Sequence, residues 1–371
     1  MSSNSDKKII GIIANPYSSR DIRRLISSAT SIQTVERANI VERIIITLGT
    51  FNGIDKVLMM PDSSGICANL IRSLELKRRS HPELRIPEVE FLEMEITSTA
   101  DDSEIATQMM VDHGVSAVAV LGGDGTHRVV AKNIGNIPIA SISTGTNNAF
   151  PRFYEATLVG MALGIYALSL VPEEHVLLKN KAIHIFVNDD VEDIALVDAA
   201  ITSEQWIGAR ALWHMENLKE LYLAFCEPGA IGMSAIGGLH HLVRREDAFG
   251  LQVVVADAGE TSFSVNTPIA PGLFQQIGIK SSQQIEFDKA IHIETTQGVI
   301  ALDGEREIEF SQKDDVSIVV KQDGPVTINV EEAIAQASKL GVFINEPEKK
   351  SNHSAIDAYQ MVPDSYLTSV V

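Results

Sequence analysis

The residues best suited to chemistry form the loop Leu121-Gly122-Gly123-Asp124-Gly125-Thr126. Three glycines around one aspartate allow a tight turn and let a ligand approach the backbone closely. The loop follows a predicted buried strand and opens a predicted helix, so its N–H groups favour an anion at a helix N-terminus. From there Asp124 could accept a proton from a hydroxyl or organise a metal ion near phosphates. The plainer interpretation is a glycine-rich turn in which Asp124 caps the helix.

Two further polar loops directly follow predicted strands. One is Ser143-Thr144-Gly145-Thr146-Asn147-Asn148, and the other contains Asn15-Pro16 together with Ser18 and Ser19. Because parallel strands end at the same edge of a sheet, all three loops are expected to share one pocket. Their hydroxyl and amide side chains suit the phosphates and ribose of a nucleotide, although the same residue types also favour ordinary turns.

A parallel sheet would position these loops. In the first half of the chain, apolar strand-like runs alternate with helical patterns, which predicts βαβ units and a sheet covered on both faces. The predicted strands are residues 8–14, 56–60, 89–94, 115–121 and 137–142. The predicted helices are residues 21–30, 65–77, 103–113, 127–133 and 152–170.

The second half of the chain has a different pattern. Short strand candidates separated by Gly, Pro and Asn/Asp turns predict an antiparallel β domain. One predicted strand covers residues 193–201, and a helix is expected within residues 203–225. The predicted organisation is a Rossmann-like α/β domain (8–170), a β-rich domain (171–330), and a short helix with a polar tail (331–371).

Composition limits the partners. The chain has 371 residues, with 49 Asp and Glu against 30 Lys and Arg, for a net charge of −19. Such a surface repels nucleic acid and anionic lipid at long range, so neither is an expected partner. The two cysteines, Cys67 and Cys226, cannot form a disulfide framework, and no apolar leader segment is visible. These features predict a cytoplasmic protein.

Other polar clusters carry weaker signals. The acidic run from Asp189 to Asp193 favours a hairpin loop over a cation site, and no side-chain set predicts a resident metal. His240-His241 with Arg244-Arg245 could reach an acidic substrate, but the pattern favours a solvated basic turn.

The motifs resemble those of the NAD kinase and diacylglycerol kinase superfamily. The resemblance is carried by the GGDGT loop after an Ala/Val-rich strand, by the later Gly-Thr-Asn loop, and by Asp303-Gly304-Glu305. Within the superfamily the chain is most similar to the ATP-NAD-kinase-like acetoin catabolism group. The resemblance implies a two-domain kinase that uses ATP and Mg²⁺, with its active site between the domains.

The resemblance also implies residue roles. Asp124 would be catalytic. The residues expected to bind nucleotide or phosphate are Asn15, Gly122, Gly123, Gly125, Thr126, Thr144, Gly145, Thr146 and Asn147. The residues expected as further substrate contacts are Asn148, Asp198, Asp303 and Glu305.

The chain departs from the superfamily pattern where NAD would bind. NAD kinases carry an Asn-Glu pair at a strand end, and here Val197 and Asp198 stand in its place. A valine cannot make the hydrogen bonds of an asparagine, although Asp198 could still bind a ribose. The run of residues 227–232 has also lost the hydroxyls found in NAD kinases. The pattern therefore favours the phosphate donor more strongly than NAD.

Three functional hypotheses follow. The leading one is a kinase that phosphorylates a hydroxyl of NAD or of a related small acceptor, with a link to acetoin catabolism. The second is a nucleotide sensor that has lost catalysis. The third is a lipid kinase, which the acidic composition disfavours. The resemblance further implies a homo-oligomer, either a dimer or a tetramer.

Overall fold

The computed structural model describes residues 8–16, 32–145, 148–204, 215–257, 259, 261 and 263–344. Its strands are, in chain order, β1 (Lys8–Ala14), β2 (Ile54–Met59), β3 (Glu88–Phe91), β4 (Ala117–Gly122), β5 (Ile139–Ser143), β6 (Leu177–Lys179), β7 (Ala182–Val187), β8 (Asp190–Ala195), β9 (Asp198–Thr202), β10 (Leu218–Leu223), β11 (Phe249–Ala256), β12 (Phe263–Ala270), β13 (Leu273–Glu286), β14 (Ile291–His292), β15 (Gly298–Leu302), β16 (Glu305–Phe310), β17 (Val316–Lys321) and β18 (Val326–Ile328). Its helices are α1 (Thr34–Leu48), α2 (Ile66–Ser80), α3 (Asp101–Asp112), α4 (Asp124–Asn133), α5 (Ala156–Ala167), α6 (Glu173–Val176), α7 (Met233–Gly238) and α8 (Val330–Lys339).

The first sheet has the strand order β3-β2-β1-β4-β5-β18-β6. Neighbouring strands from β3 to β18 run parallel, and β6 is antiparallel to β18. β1 and β4 are almost wholly buried, as continuous apolar strands covered on both faces should be. The predicted parallel sheet is confirmed, and its order brings the ends of β1, β4 and β5 side by side.

The second half of the chain forms two antiparallel sheets. Their strand orders are β12-β13-β11-β10-β9-β15-β16 and β14-β17-β7-β8. The fold class predicted from the sequence, a parallel α/β region followed by β-rich sheets, is therefore confirmed. One hydrophobic core joins the two regions, because Val120 and Val130 belong to the same buried cluster as Ile183 and Ile300. This shared core fixes the β-rich region against the edge of the parallel sheet.

Several predicted elements were wrong in detail. A helix was expected within residues 203–225, but the end of this segment is the strand β10, whose side chains alternate between two packed faces of the sheet. The expected single strand 193–201 is two strands, β8 and β9, because the N–H groups of Leu196 and Val197 bond to the Asp303 carboxylate. Helix α1 was not predicted at all. The helix predicted for residues 21–30 lies outside the described residues.

The end of the chain returns to the first sheet. β18 pairs with β5 and with β6, although β6 and β18 both lie within residues 171–330, where the β-rich domain was predicted. Helix α8 follows, and buries Val330, Ala333 and Ala337 in the core that also contains α5 residues such as Val159. This spacing of three and four residues is typical of an amphipathic helix. Within the described ranges, no helix is both long and apolar enough to cross a bilayer.

Candidate active site

Asp124 stands where a central parallel strand becomes a helix. β4 ends at Gly122, and Gly123 occupies the N-cap position of α4 with an extended backbone. Among the described residues, no side chain caps the first turn of α4. Because a helix N-terminus carries partial positive charge, an anion can take the place of the missing cap.

The Asp124 carboxylate is held in a fixed orientation. It accepts hydrogen bonds from the backbone N–H of Phe150 at 2.8 Å and of Ala149 at 3.0 Å. The residue is only 8% exposed. The loop after β5 therefore orients the carboxylate, which remains an acceptor at the edge of the sheet.

The described parts of the three predicted loops lie together in the structure, while Ser18 and Ser19 lie outside the described residues. The Asn15 side chain, at the end of β1, donates to the Thr126 hydroxyl at 2.9 Å. The N–H of Thr144, directly after β5, donates to the Gly122 carbonyl at 3.1 Å. These bonds tie the ends of β1, β4 and β5 to one another, as adjacent parallel strands allow.

Close packing explains the glycines of these loops. A Cβ atom on Gly122 would lie 2.5 Å from the Thr126 side chain, and one on Gly145 would lie 2.7 Å from the amide nitrogen of Asn148. That amide donates to the Ser143 hydroxyl at 2.8 Å, so Asn148 braces its own loop. The other two predicted residues of this loop, Thr146 and Asn147, lie outside the described residues.

The β-rich region contributes a second carboxylate to the site. β15 and β16 are joined by Asp303 and Gly304, both with positive φ, as in the two-residue turn that Asp-Gly favours. Glu305 follows the turn, and its carboxylate lies 3.6 Å from where a Cβ of Gly125 would stand. The glycine loop therefore carries one carboxylate of its own, Asp124, and lies next to a second, Glu305, from the β-rich region.

Asp303 and Asp198 are placed differently from Glu305. The Asp303 carboxylate is fully buried and accepts from the N–H groups of Leu196, Val197 and Asp198, the shortest bond being 2.8 Å. Asp198 is also buried, and its carbonyl accepts from the Asp303 N–H at 2.9 Å. The Asp303 side chain therefore braces the β15–β16 turn and is enclosed where a dissolved substrate does not reach it.

Arg128 links the two regions behind the site. Its guanidinium, on α4, bonds to Asp193 and to Glu307 at 2.8 Å each, and lies 3.8 Å from Asp303. Burial disfavours the charged form of Arg128, but the neighbouring carboxylates outweigh burial and raise its pKa. No local sequence pattern marks Arg128, because its three carboxylate partners lie far away in sequence. Arg128 ties the helix that begins with Asp124 to the turn that carries Glu305.

His127 lies beneath the loop and is completely buried. Its Nδ1 is 2.8 Å from the Gly123 carbonyl, which fixes this nitrogen as the protonated one. Burial lowers the pKa of His127 to about 4, against the opposing effect of that carbonyl. The imidazole is therefore neutral at physiological pH and supports the loop without adding charge.

Arg245 corrects an interpretation made from sequence. The basic segment that contains it was interpreted as solvated, yet its guanidinium lies 4.1 Å from the centre of the Phe225 ring. Its Nη2 donates to the carbonyls of Ala149 and Phe150, whose N–H groups hold Asp124. Burial lowers the pKa of Arg245 to about 10. Arg245 thus supports the backbone that orients the Asp124 carboxylate.

The loop that carries Arg245 is itself anchored by a buried lysine. The Lys181 ammonium donates to the carbonyls of Arg244, Asp247 and Phe249 at 2.9 Å each. Burial lowers the pKa of Lys181 to about 8. Three carbonyl acceptors match the three donors of an ammonium group, so the lysine fixes the shape of this loop.

The structure also bears on dinucleotide and metal binding. Val197 is fully buried in the hydrophobic core, so its position offers no polar side chain to a dinucleotide. Within the described part of the chain, no three His, Cys, Asp or Glu side chains converge as a metal site. A Mg²⁺ ion bound mainly by phosphate groups needs only one or two protein carboxylates. Asp124 and Glu305 are the residues that could supply them.

Two family models match this chain, one over each half. Residues 10–167 match the ATP-NAD kinase N-terminal domain, and residues 181–323 match the acetoin catabolism protein X C-terminal domain. The fold and these two matches therefore define a two-domain protein of the NAD kinase type. Acetoin catabolism protein X of Cupriavidus necator is 42% identical over 344 residues, which cover 92% of this chain and 95% of that protein. The chain belongs to the acetoin catabolism protein X family.

Proposed function

We propose that the protein is an ATP-dependent phosphotransferase that phosphorylates a hydroxyl of NAD or of a related small acceptor. The observation that carries the proposal is the convergence of Asp124 and Glu305 on the glycine loop at the N-terminus of α4. An uncapped helix N-terminus with glycines supports phosphate binding. The carboxylates of Asp124 and Glu305 lie beside this loop and could accept the proton of the acceptor hydroxyl.

The proposed reaction follows from these placements. Backbone N–H groups of the loop from Gly122 to Thr126 would hold the donor phosphates, with Asn15 keeping Thr126 in place. The acceptor oxygen would attack the terminal phosphorus as the bond to the bridging oxygen breaks. The hydroxyl proton would pass to Asp124 or Glu305. Mg²⁺ that enters with ATP would neutralise charge on the phosphates. Such a transfer depends mainly on positioning, which this braced loop supports.

Three observations bear on which molecule supplies the acceptor hydroxyl. NAD is supported by the match to the ATP-NAD kinase N-terminal domain. Against it, Val197 replaces an asparagine by a buried apolar side chain. The relative's name, acetoin catabolism protein X, supports a role connected with acetoin, and so favours a small hydroxylated acceptor.

An ADP-release assay with Mg-ATP tests the proposal. The reactions contain NAD, NADH, a panel of small polyols and hydroxyketones, or no acceptor. We expect ADP release that depends on one of these acceptors and yields a phosphorylated product detectable by mass spectrometry. Absence of product with every acceptor, in protein shown to bind ATP, would contradict the proposal.

The sensor hypothesis remains the second candidate because of one observation. The Asp124 carboxylate accepts hydrogen bonds from two backbone N–H groups, and this structural role would persist in a protein without catalytic activity. A sensor would bind Mg-ATP or NAD with a measurable dissociation constant and release no ADP.

A further inference from the structure

A small cavity opens beside the site, where the parallel sheet is incomplete. β18 pairs with β5 only between Thr327 and Ile139, and further along β5 the neighbour is Arg152, which bridges Ile142. The gap between these two pairings lies at Ser141. The resulting cavity is about 50 Å³ and is also lined by Asn180, Tyr154 and Arg245.

Two buried polar atoms of this lining lack a hydrogen-bond partner among the described residues. They are the Ser141 hydroxyl and the Arg245 Nε. Leaving a buried donor unsatisfied costs free energy, so native proteins usually satisfy such groups with water or a ligand. The Arg245 Nε can only donate, and the Ser141 hydroxyl can donate. The ligand that would satisfy both is therefore an acceptor.

The charge of the cavity lining also favours a hydrogen-bond acceptor, and specifically an anion. Arg152 and Arg245 both line the cavity, and none of its described lining residues is Asp or Glu. This is unusual in a chain of net charge −19. The Arg152 side chain is 52% exposed and reaches Glu227 only at 4.0 Å, which leaves it available to a closer anion. Glu227 is the carboxylate that the two guanidinium groups share, at 4.0 Å from Arg152. Water would satisfy the polar atoms, whereas an anion in the cavity would also pair directly with both guanidinium groups.

We propose that this cavity binds a small oxyanion, a phosphate or carboxylate group, through Ser141, Arg152 and Arg245. Its volume exceeds the roughly 10–15 Å³ that one water requires, and suits the head group of such an anion. Phe150 lines the cavity, and its N–H also holds Asp124, so the oxyanion binds next to the backbone that orients the carboxylate. The oxyanion is either free in solution or part of the acceptor molecule.

The test measures binding of inorganic phosphate to the full chain, without nucleotide and at constant ionic strength. Isothermal titration calorimetry and thermal unfolding are applied to the wild type, Ser141→Ala and Arg152→Gln. Arg72→Gln is the charge-matched control, since Arg72 is exposed on α2. Loss of one charge-assisted bond should weaken phosphate binding at least about tenfold in both cavity variants and leave the control unchanged.

The Ser141→Ala variant adds a readout that a structural role would not produce. Because the buried hydroxyl has no hydrogen-bond partner among the residues that the structure describes, its removal should leave the Tm without phosphate unchanged or higher, while the phosphate-induced rise in Tm falls. Neither Ser141 nor Arg152 belongs to the glycine loop, so their effects separate this cavity from the donor site. The measurement involves no turnover and stands even if the proposed kinase activity fails.

A second set of titrations identifies the source of the oxyanion. Acetate, glycolate, glycerol and glycerol 3-phosphate are compared with inorganic phosphate. Tighter binding of glycerol 3-phosphate or glycolate, sensitive to Ser141→Ala, would support an anionic group carried by the acceptor. Equal or tighter binding of inorganic phosphate or acetate would support an anion that binds from solution, separately from the acceptor. No binding of any anion, or equal binding by the wild type and both cavity variants, would overturn the proposal.

Discussion

Replacement of Arg128 by Met should destabilise the fold strongly. The Arg128 residue is 4% exposed, and its guanidinium faces the fully buried carboxylate of Asp303 and the largely buried carboxylate of Asp193. Removing one partner of a buried ion pair leaves a buried charge uncompensated, which costs about 3–5 kcal/mol. We therefore expect Arg128→Met to lower the free energy of unfolding by that amount at pH 8.

The pH dependence of this loss has a definite sign. Burial raises the pKa of Asp303, and Arg128 and the backbone N–H groups oppose that rise. Without Arg128, the pKa rises further, so the folded variant binds a proton that the unfolded chain releases. Stability conferred by such a group is lost as pH rises through its folded pKa. The deficit of Arg128→Met relative to the wild type should therefore be larger at pH 8 than at pH 5.

Urea denaturation at both pH values measures these effects, with two comparison variants. Asp303→Asn added to Arg128→Met should recover part of the loss, since asparagine is neutral and tolerates the positive φ of this position. Lys132→Met removes a more exposed cation that also pairs with Asp193, and should cost under about 1 kcal/mol. A loss in Arg128→Met no greater than that in Lys132→Met would refute the reasoning.

Three further predictions concern groups around the site. Between pH 7 and pH 4 the wild type should lose about 3 kcal/mol more stability than His127→Asn. The reason is that the pKa of this imidazole is about 4 in the folded protein, whereas in the unfolded chain it is near 6.5. Equal pH dependence of the free energy of unfolding in urea titrations of the two proteins would contradict this. Gly122→Ala should cost about 1–3 kcal/mol through its clash with Thr126, whereas Gly229→Ala, which meets open space, should change stability by less than about 0.5 kcal/mol; thermal unfolding of the two variants side by side decides. Lys181→Met should cost about 3 kcal/mol, roughly 1 per lost carbonyl contact, and should speed hydrogen exchange in residues 244–249; unchanged exchange there would show that the lysine does not anchor the loop.

Local sequence patterns predicted the parallel half of the fold and the loops at its edge. The apolar strands are continuous, and each ends in turn residues, so β1, β4 and β5 could be placed from sequence. The Asp-Gly turn before Glu305 could be recognised in the same way. These features depend on a few neighbouring residues, for which pattern and conformation agree.

The errors occur where distant residues decide the outcome. Glu220 lies in the segment where a helix was expected, yet it is buried on β10 and accepts hydrogen bonds from Thr295 and Tyr222. Arg245 lies in a segment whose charge is typical of a solvated turn, and only packing against Phe150 and Phe225 buries it. Such partners are brought together by the tertiary fold and leave no local signal.

The position of β18 in the first sheet could not be predicted from local sequence either. Residues of β18 have the apolar character of the strands before them, so they were grouped with the β-rich region. Their pairing with β5 depends on the chain crossing back to the first sheet, which no local spacing reveals. The resulting gap beside Ser141 could likewise be found only from the structure.

Turnover and nucleotide binding of the Asp124→Asn variant test the central claim most directly. Asp124 Oδ1 accepts from both Phe150 and Ala149, at 2.8 and 3.2 Å, so the single oxygen of asparagine can keep both bonds and the fold. We predict that the variant binds Mg-ATP within a fewfold of wild-type affinity, while kcat for ADP release with the active acceptor falls by about 10²–10⁴. Undiminished kcat in this variant would show that the Asp124 carboxylate takes no part in the reaction.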